Sequence, residues 1–489
     1  MNNTLNSSET LAVAAYLVSL LLLGYLARRA SRESTLKDFY LAGSSLGFLS
    51  LFFTLYATQY SGNSLFALPG KAYREGIAAG AFIVGVMAIV LVYGLFAPRL
   101  QQLAREHGFI TVGDFVRWRY DSEHLARGVN LVLAVVLVSF ILGNVKAIGL
   151  LVETSTGGGL GSAWGIAGIA LVMAVYESLG GMRGVIWTDV LQGVLLLSTC
   201  LLVFFLLAAS QDTGPIAEPG LLLDALGEMF SNSTASTSFF SLALLIAFAA
   251  AVYPQAIQRI YAARDVQTLR RSYRLMFFMP LFTTLPIMVI GMSGANWFPD
   301  LSRGDSENIM LYAINLLLQE NPGLFWLRVL FLSAAIAAIM STIDSALLTL
   351  GSIISRDTIL LHRPLAPDQA HRLSKRLSWL LILVMAVLAM VLPQTIWALL
   401  VLKLELLIQV APLVILGVRY PGLSIQPLAA GFAVGSLACV AMKTSTWFGL
   451  PAMDTPLGVH AGLWALALNL GVFALVSRSL RPVPQSTAE

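Results

Sequence analysis

Residues 57–64 read Ala-Thr-Gln-Tyr-Ser-Gly-Asn-Ser, and this stretch decides the fold. After Ala57 it holds seven non-aliphatic residues in a row, in the middle of an otherwise apolar run over residues 46–68. A regular helix would have to bury all of these groups in hydrocarbon, which is expensive. The stretch is instead typical of an unwound segment that lines a cavity, where free backbone carbonyls can bind an ion. A polar helix face packed inside a bundle is the alternative.

The composition of the whole chain places this stretch in a membrane protein. Of 489 residues, 57% are apolar and 11% are charged, and the mean hydropathy is +0.79. A soluble domain of this length needs far more charge on its surface. The net charge of +4 does not indicate nucleic-acid binding, because the basic residues sit in short loops and form no continuous stripe.

The apolar runs are about 20 residues long, the length that crosses a hydrocarbon core of roughly 30 Å. They predict an all-α polytopic membrane protein with thirteen transmembrane helices, which we name span 0 to span 12. The predicted ranges are, in order, 11–27, 46–68, 77–97, 129–151, 162–179, 185–209, 239–261, 275–297, 324–354, 377–392, 396–418, 427–442 and 463–476.

The basic residues are distributed unevenly between the two sides of these spans. Most of the 30 Lys and Arg residues fall in loops on one side, whereas the other side holds only Lys71, Arg74, Arg303 and Lys443. Under the positive-inside rule this places the N-terminus outside and the C-terminus in the cytoplasm. The expected location is a lipid bilayer, with the inner membrane of a bacterium favoured.

A second helix interruption is predicted in span 6, where residues 250–255 read Ala-Ala-Val-Tyr-Pro-Gln. Pro254 removes a backbone donor and clashes with the preceding turn, although such kinks also occur in ordinary spans. If spans 1–5 and 6–10 are two repeats, each repeat begins with an interrupted helix, which is typical of an inverted-repeat transporter with a site at mid-membrane. The residues expected to bind the solute beside these interruptions are Gln59, Tyr60, Asn63, Ser64, Tyr253 and Gln255.

Span 8 contains two adjacent hydroxyl residues, Ser341 and Thr342. Ala338 lies three residues before Ser341, so its carbonyl comes close to both hydroxyls. Hard cations take oxygen ligands of this kind. The alternative is that both hydroxyls donate to carbonyls of their own helix.

Together these segments resemble the sodium/solute symporter family, whose members carry proline, sialic acid, pantothenate, monocarboxylates or glucose with sodium. The resemblance covers residues 38–420. It rests on motifs that occur in order along the chain: Asp-Phe-Tyr-Leu-Ala-Gly at 38–43, Leu-Pro-Gly at 68–70, Gly-Gly at 180–181 followed by Trp-Thr-Asp-Val-Leu-Gln at 187–192, Pro254 with Gln258 and Arg259, Ser-Thr-Ile-Asp-Ser at 341–345, and Arg356 with Asp357.

The resemblance implies a five-plus-five inverted-repeat, LeuT-like core preceded by one extra N-terminal helix. The implied organisation is an extra helix and cytoplasmic loop at 1–45, a first repeat at 46–210, an external loop at 211–237, a second repeat at 238–420, and two C-terminal spans with a tail at 421–489. It also implies one sodium ion between spans 1 and 8, bound by carbonyls of Ala57, Tyr60 and Ala338 and hydroxyls of Ser341 and Thr342. Gln59 departs from the sodium/proline members, which carry an aspartate at this position, so neutral oxygens would hold the ion.

Two carboxylates fall inside spans, Asp189 in span 5 and Asp344 in span 8. A charged group in a span is costly, so each is expected to face a cavity or a partner. We expect both on the ion release path, since the resemblance implies that Asp189 helps sodium to leave toward the cytoplasm. A structural ion pair of Asp189 with Arg183 or Arg259 is the alternative.

Span 10 contains Lys403 and Glu405, which are two residues apart and therefore point to different helix faces. This spacing argues against a salt bridge between them. One or both contact a charged substrate, or they pair with ionisable residues of other spans, for which the candidates are Lys146, Arg328 and Glu177.

These observations predict a sodium-coupled symporter that imports a small polar solute by alternating access, with an amino acid or small organic acid favoured. Sodium is the expected coupling ion, no other cofactor is expected, and the protein is expected to function as a monomer. The sequence holds no HExxH or Walker A motif, so we do not expect an enzyme. The alternatives are proton coupling through Asp189 or Glu405, and a solute-sensing membrane module that acts with a partner kinase.

Overall fold

The computed structural model describes residues 7–30, 35–210, 227, 229–363, 365–392, 396–448 and 451–479. Over these residues the chain is all-helical apart from one isolated β-bridge. Eleven helices are long and apolar enough to cross a membrane, and the apolar helices Phe48–Gln59 and Ser162–Glu177 are shorter. The prediction of an all-α polytopic membrane protein is therefore confirmed.

The helices of the first half follow the predicted spans with extended ends. Span 0 is Ser7–Ala30, span 1 is Phe48–Gln59 followed by Asn63–Ala67 and Leu68–Glu75, span 2 is Ala81–His107, span 3 is Glu123–Ser155, and spans 4 and 5 form Ser162–Ala209. Two short helices, Leu36–Leu41 and Val112–Tyr120, lie in the loops between these spans.

The second half has a similar arrangement. Span 6 is Ser233–Ala251 followed by Pro254–Ala262, span 7 is Val266–Phe282 followed by Thr284–Trp297, span 8 is Trp326–Ser352, span 9 is Pro367–Val391, span 10 is Ile396–Leu407 followed by Ala411–Arg419, span 11 is Ile425–Lys443 and span 12 is Ala461–Ser479. The helix Ile309–Glu320, which lies between spans 7 and 8, was not predicted.

Both predicted helix interruptions are present. Span 1 leaves the helix at Tyr60, whose backbone is extended (φ −100°, ψ 117°), and becomes helical again at Asn63. Span 6 stops at Ala251 and begins again at Pro254, a residue that suits the first turn of a helix because it has no N–H to leave unpaired. The interruption of span 1 is shorter than the polar stretch that predicted it, because residues 57–59 remain helical.

The loop predicted between spans 4 and 5, at residues 180–184, is wrong. The two spans are helices that meet at a kink, where Gly181 alone leaves the helical backbone angles (φ 53°, ψ −148°). This positive φ favours glycine. A Cβ at position 181 would also lie 2.7 Å from Cδ2 of Phe39, so a larger residue has no room there. A kink at one glycine therefore replaces the loop.

The start of span 1 and the end of span 6 are joined by backbone hydrogen bonds. The N–H of Leu46 donates to the carbonyl of Ala262 at 3.1 Å, and the N–H of Arg264 donates to the carbonyl of Leu46 at 3.0 Å. Span 1 begins at this junction and span 6 ends at it, so the two spans run in opposite directions. Opposite directions are what an inverted repeat requires of its two first helices.

A close approach between span 7 and the last helix of span 1 gives the first prediction. A Cβ at Gly291 would lie 2.8 Å from the Cα of Pro69, and backbone atoms cannot move aside as a flexible side chain can. We predict that Gly291→Ala destabilises the protein by about 1–3 kcal/mol, measured as a lower melting temperature in detergent. Gly94→Ala is the control, because a Cβ there has no neighbour within 4 Å. Equal melting shifts for the two variants would contradict the prediction.

Candidate sodium and substrate site

The hydroxyl groups of span 8 contact the last helical turn of span 1 before its interruption. Ser341 Oγ donates to the carbonyls of Ala57 and Ala338, both at 3.1 Å. Thr342 Oγ1 donates to the Ala338 carbonyl at 2.9 Å. All four residues are buried. The structure thus brings together four of the five residues predicted to bind sodium, and Tyr60 is the first residue of the adjoining interruption.

Ser341 and Thr342 donate hydrogen bonds to the Ala338 carbonyl of their own helix, as the alternative interpretation of these hydroxyls expects. The bond from Ser341 to Ala57 crosses between two spans, which that alternative does not require. A hydroxyl carries two lone pairs and can rotate, so the same oxygens can face a cation together with the two carbonyls. The arrangement is therefore chemically suited to a hard cation.

The interruption of span 1 is held by spans 3 and 8. The N–H of Gly62 donates to Oδ1 of Asn144 at 3.2 Å, and Nδ2 of Asn144 donates to the Phe140 carbonyl at 2.9 Å. A Cβ at Gly62 would lie 2.8 Å from Cγ1 of Ile339 and 3.0 Å from Cβ of Ala147. Glycine is therefore needed where the chain passes between these spans.

Several of the predicted substrate residues are buried polar groups without partners. Within the described part of the chain, Oη of Tyr60, Oγ of Ser64 and both amide atoms of Gln255 have no hydrogen-bond partner. Such groups are rare in folded proteins, and a bound ligand can satisfy them. Gln59 and Tyr253 line one pocket, whereas the side chain of Asn63 lies outside the described residues.

Asp189 belongs to a fully buried network that links span 5 to spans 1 and 6. Oγ1 of Thr54 donates to Oδ2 of Asp189, and Nη2 of Arg259 lies 3.3 Å from the same oxygen. The side chains of Asp189 and Arg259 are both 0% exposed. Of the two pairings considered for Asp189, the structure has the one with Arg259, because Arg183 pairs with Asp38 at 2.5 Å.

Arg259 extends this network to the candidate sodium site. Its Nη2 donates to Oγ of Ser345 at 2.5 Å, and its Nε donates to the carbonyl of Thr54 at 3.2 Å. Ser345 Oγ in turn donates to the carbonyl of Ser341 at 2.7 Å. The ion pair therefore lies one helical turn from the hydroxyl that contacts Ala57.

Asp344 has different neighbours from Asp189. Oη of Tyr176 in span 4 donates to Oδ2 of Asp344, and Oδ1 has no hydrogen-bond partner among the described residues. The two carboxylates expected on one release path are thus fully buried in separate hydrogen-bond networks.

Glu405 and Lys403 are engaged separately, as their spacing predicts. Oε2 of Glu405 lies 2.8 Å from Nζ of Lys443, which also contacts Oδ1 of Asp454 at 2.6 Å. Lys403 instead places Nζ 3.4 Å from the centroid of the Phe140 ring.

The three pairings considered for Lys403 and Glu405 are wrong. Lys146 donates to the Leu392 carbonyl, Arg328 lies 3.7 Å from Glu9, and Glu177 accepts a hydrogen bond from Ser378 at 3.0 Å. The partner of Glu405 is instead Lys443. Sequence spacing does not indicate this pairing, because it depends on where Lys443 lies in the folded chain.

Residues 39–418 match the sequence model of the sodium:solute symporter family. The chain belongs to the sodium:solute symporter family. Its expected activity class, sodium-coupled symport of a solute, is therefore confirmed. The symporter is 26% identical over 493 residues to the sodium/pantothenate symporter of Escherichia coli strain K12, with 98% of both chains covered. It is 28% identical over 349 residues to a high-affinity proline transporter of Bacillus subtilis strain 168, with 69% of this chain and 71% of the relative covered.

A solved structure has the same fold as this symporter. It is a Na⁺-coupled sialic acid symporter in a substrate-bound outward-open state, with a TM-score of 0.76 and 18% sequence identity. The match covers 97% of this chain and 98% of the other. The likeness therefore extends over nearly the whole of both chains.

Two residues of the site were not singled out from the sequence. Thr54 contacts the buried ion pair, and Asn144 contacts the interruption of span 1. Each is a polar residue in an otherwise apolar run, and this was the signal that could have identified them. The sequence does not show which neighbouring helix each of these residues faces, because that depends on how the spans pack together.

The buried ion pair gives the second prediction. We expect Arg259→Met to destabilise the symporter by about 3–5 kcal/mol, because Asp189 is left as an unpaired charge in the interior. Replacing both partners, Arg259→Met with Asp189→Leu, should recover much of the melting temperature in detergent. Arg264→Met is the control, because the side chain of Arg264 is 66% exposed and should contribute little. A double variant no more stable than Arg259→Met would refute this account.

Proposed function

We propose that this symporter imports a small polar solute, an amino acid or a small organic acid, together with sodium by alternating access. The observation that carries the proposal is the bond from Ser341 to Ala57, which joins the hydroxyls of span 8 to a carbonyl at the interruption of span 1. The proposed sodium ligands are oxygens of Ala57, Tyr60, Ala338, Ser341 and Thr342. The proposed solute contacts are Gln59, Tyr60, Asn63, Ser64, Tyr253 and Gln255.

Sodium at this place couples to conformation because its ligands belong to two different spans. An ion held by both spans stabilises the arrangement in which they are in contact, and its loss lets them separate. The ligands are neutral, and Gln59 adds no charge, so affinity is modest. Modest affinity suits a site that must release its ion in every cycle.

The release path is proposed to pass Asp189 and Asp344. Asp189 supports this role through its place in the network of Arg259 and Ser345, one turn from Ser341. A carboxylate that is already paired with Arg259 can attract a leaving cation without holding it tightly.

The proposed topology has thirteen spans, with a five-plus-five inverted repeat after span 0. The repeats are residues 46–210 and 238–420, preceded by the extra helix and loop at 1–45, separated by an external loop at 211–237 and followed by 421–489. The opposite directions of spans 1 and 6 support this organisation. We place the N-terminus outside and the C-terminus in the cytoplasm of a bacterial cell, and propose a functional monomer.

Cysteine labelling tests this topology. In a background with Cys200→Ala and Cys439→Ala, which removes the two native thiols, we expect Ser302→Cys to react with a membrane-impermeant maleimide in intact cells. Glu106→Cys should react only after permeabilisation. Both positions are exposed and lie on opposite sides of the proposed bundle. The reverse labelling pattern would show that the orientation is wrong.

The sodium site gives a prediction of its own. Removing the Ser341 or Thr342 hydroxyl takes away one ligand of five, so Ser341→Ala and Thr342→Ala should raise the sodium concentration for half-maximal uptake about tenfold or more. The measurement is uptake of labelled amino acids and organic acids into proteoliposomes at a series of sodium concentrations.

Ser333→Ala, a buried serine two turns earlier in span 8, is the matched control and should leave the sodium dependence unchanged. Sodium dependence that survives both test substitutions would rule out the proposed ligands. Uptake that persists without sodium and collapses with the pH gradient would favour proton coupling instead.

A further inference from the structure

Lys403 is a buried cation for which the described part of the chain offers no counter-ion. Its residue is 2% exposed, and no hydrogen bond or ion pair involves its ammonium group within the described residues. The nearest charged residue of span 10, Glu405, is paired with Lys443. A lone ammonium inside a membrane bundle is expensive and marks a functional position more often than a structural one.

The surroundings of Lys403 are aromatic. Its Nζ lies 3.4 Å from the Phe140 ring centroid and 5.4 Å from that of Tyr253, and the two rings stack on each other with centroids 5.4 Å apart. Cation–π contacts of this kind contribute about 2 kcal/mol when desolvated, which does not offset the burial of an ammonium group. An anionic ligand would offset this cost.

Lys403 lies close to one of the proposed solute contacts, Tyr253. Tyr253 is part of the interruption of span 6. Phe140 lies one turn from Asn144 on the same face of span 3, and Asn144 holds the N–H of Gly62 in the interruption of span 1. Lys403 therefore lies next to both interruptions, where Gln255 also has an unpaired amide.

Among the described residues no buried carboxylate contacts Lys403, and Asp344 accepts a hydrogen bond from Tyr176 instead. Asp189 is paired with Arg259 and accepts a hydrogen bond from Thr54. Glu177 accepts a hydrogen bond from Ser378. The charge beside the two interruptions is thus positive and is not matched by a carboxylate, an environment that favours an anion over a cation or a neutral sugar.

We propose that Lys403 binds the carboxylate of the transported solute, and that the solute is a small monocarboxylate anion whose apolar part lies against Phe140 and Tyr253. This inference rests on the proposed function and specifies its substrate class. It assigns to span 10 the charge recognition that the neutral residues of spans 1 and 6 do not supply.

Uptake into proteoliposomes tests the inference with matched probes. Labelled propionate, lactate and pyruvate are compared with propionamide, lactamide, proline and glucose at saturating sodium. We expect sodium-dependent uptake of at least one carboxylate and none of its amide. Lys403→Met should raise the half-saturation concentration of that carboxylate about ten- to a hundredfold, because a charge-assisted contact is lost. Lys403→Arg keeps the charge and should stay within tenfold of the wild type.

Lys146→Met is the matched control for these variants, because Lys146 is a membrane lysine that donates to a backbone carbonyl. It should leave the half-saturation concentration unchanged. Thermal unfolding in detergent supplies a second readout that does not need transport. Lys403→Met should melt no lower than the wild type without solute, since the variant removes an unmatched charge, but should lose the stabilisation that the carboxylate gives.

The results separate this inference from the proposed function. Sodium alone should still stabilise Lys403→Met, and a loss of sodium stabilisation in Ser341→Ala tests the sodium site without any solute. Uptake of proline or glucose that is indifferent to Lys403→Met would overturn the inference and leave sodium symport intact. The inference would also be overturned if none of the three carboxylates is taken up and none of them stabilises the protein against thermal unfolding.

Discussion

The backbone groups that span 1 frees where it stops being helical must find partners inside the membrane, and much of the structure is arranged around that need. Hydrocarbon offers no hydrogen bonds, so neighbouring helices have to supply them. Asn144 of span 3 meets the N–H of Gly62, and Ser341 of span 8 meets the carbonyl of Ala57. The spans that can hold the interruption are therefore the spans that form the site.

The same requirement explains how much could be predicted from the sequence. Interruptions are local, so the polar run at 57–64 and Pro254 were sufficient to place both of them. The adjacent hydroxyls of Ser341 and Thr342 could also be identified from the sequence, because polar groups in an apolar helix are costly unless they have hydrogen-bond partners or a ligand. Local chemistry thus indicated which residues matter, and the family match supports the activity class that followed from them.

Partner choice could not be predicted, since it depends on which helices become neighbours. Sequence spacing left Arg183 and Arg259 equally available to Asp189, and only the packing of span 6 against spans 1 and 8 decides for Arg259. Glu405 finds Lys443 on span 11, which no local pattern indicates. Gly181 turns the chain through one positive φ, so the expected loop between spans 4 and 5 was not needed.

The unmatched charge of Lys403 has an electrical consequence for energy coupling. One sodium carried with one monovalent anion moves no net charge, so membrane voltage does not drive the step, and a tenfold sodium gradient provides about 1.4 kcal/mol, or roughly tenfold accumulation. A second sodium makes the cycle electrogenic and adds about 2.3 kcal/mol from a voltage of 100 mV and about 1.4 kcal/mol more from the tenfold gradient. The current that accompanies uptake therefore reports how many sodium ions enter with each solute.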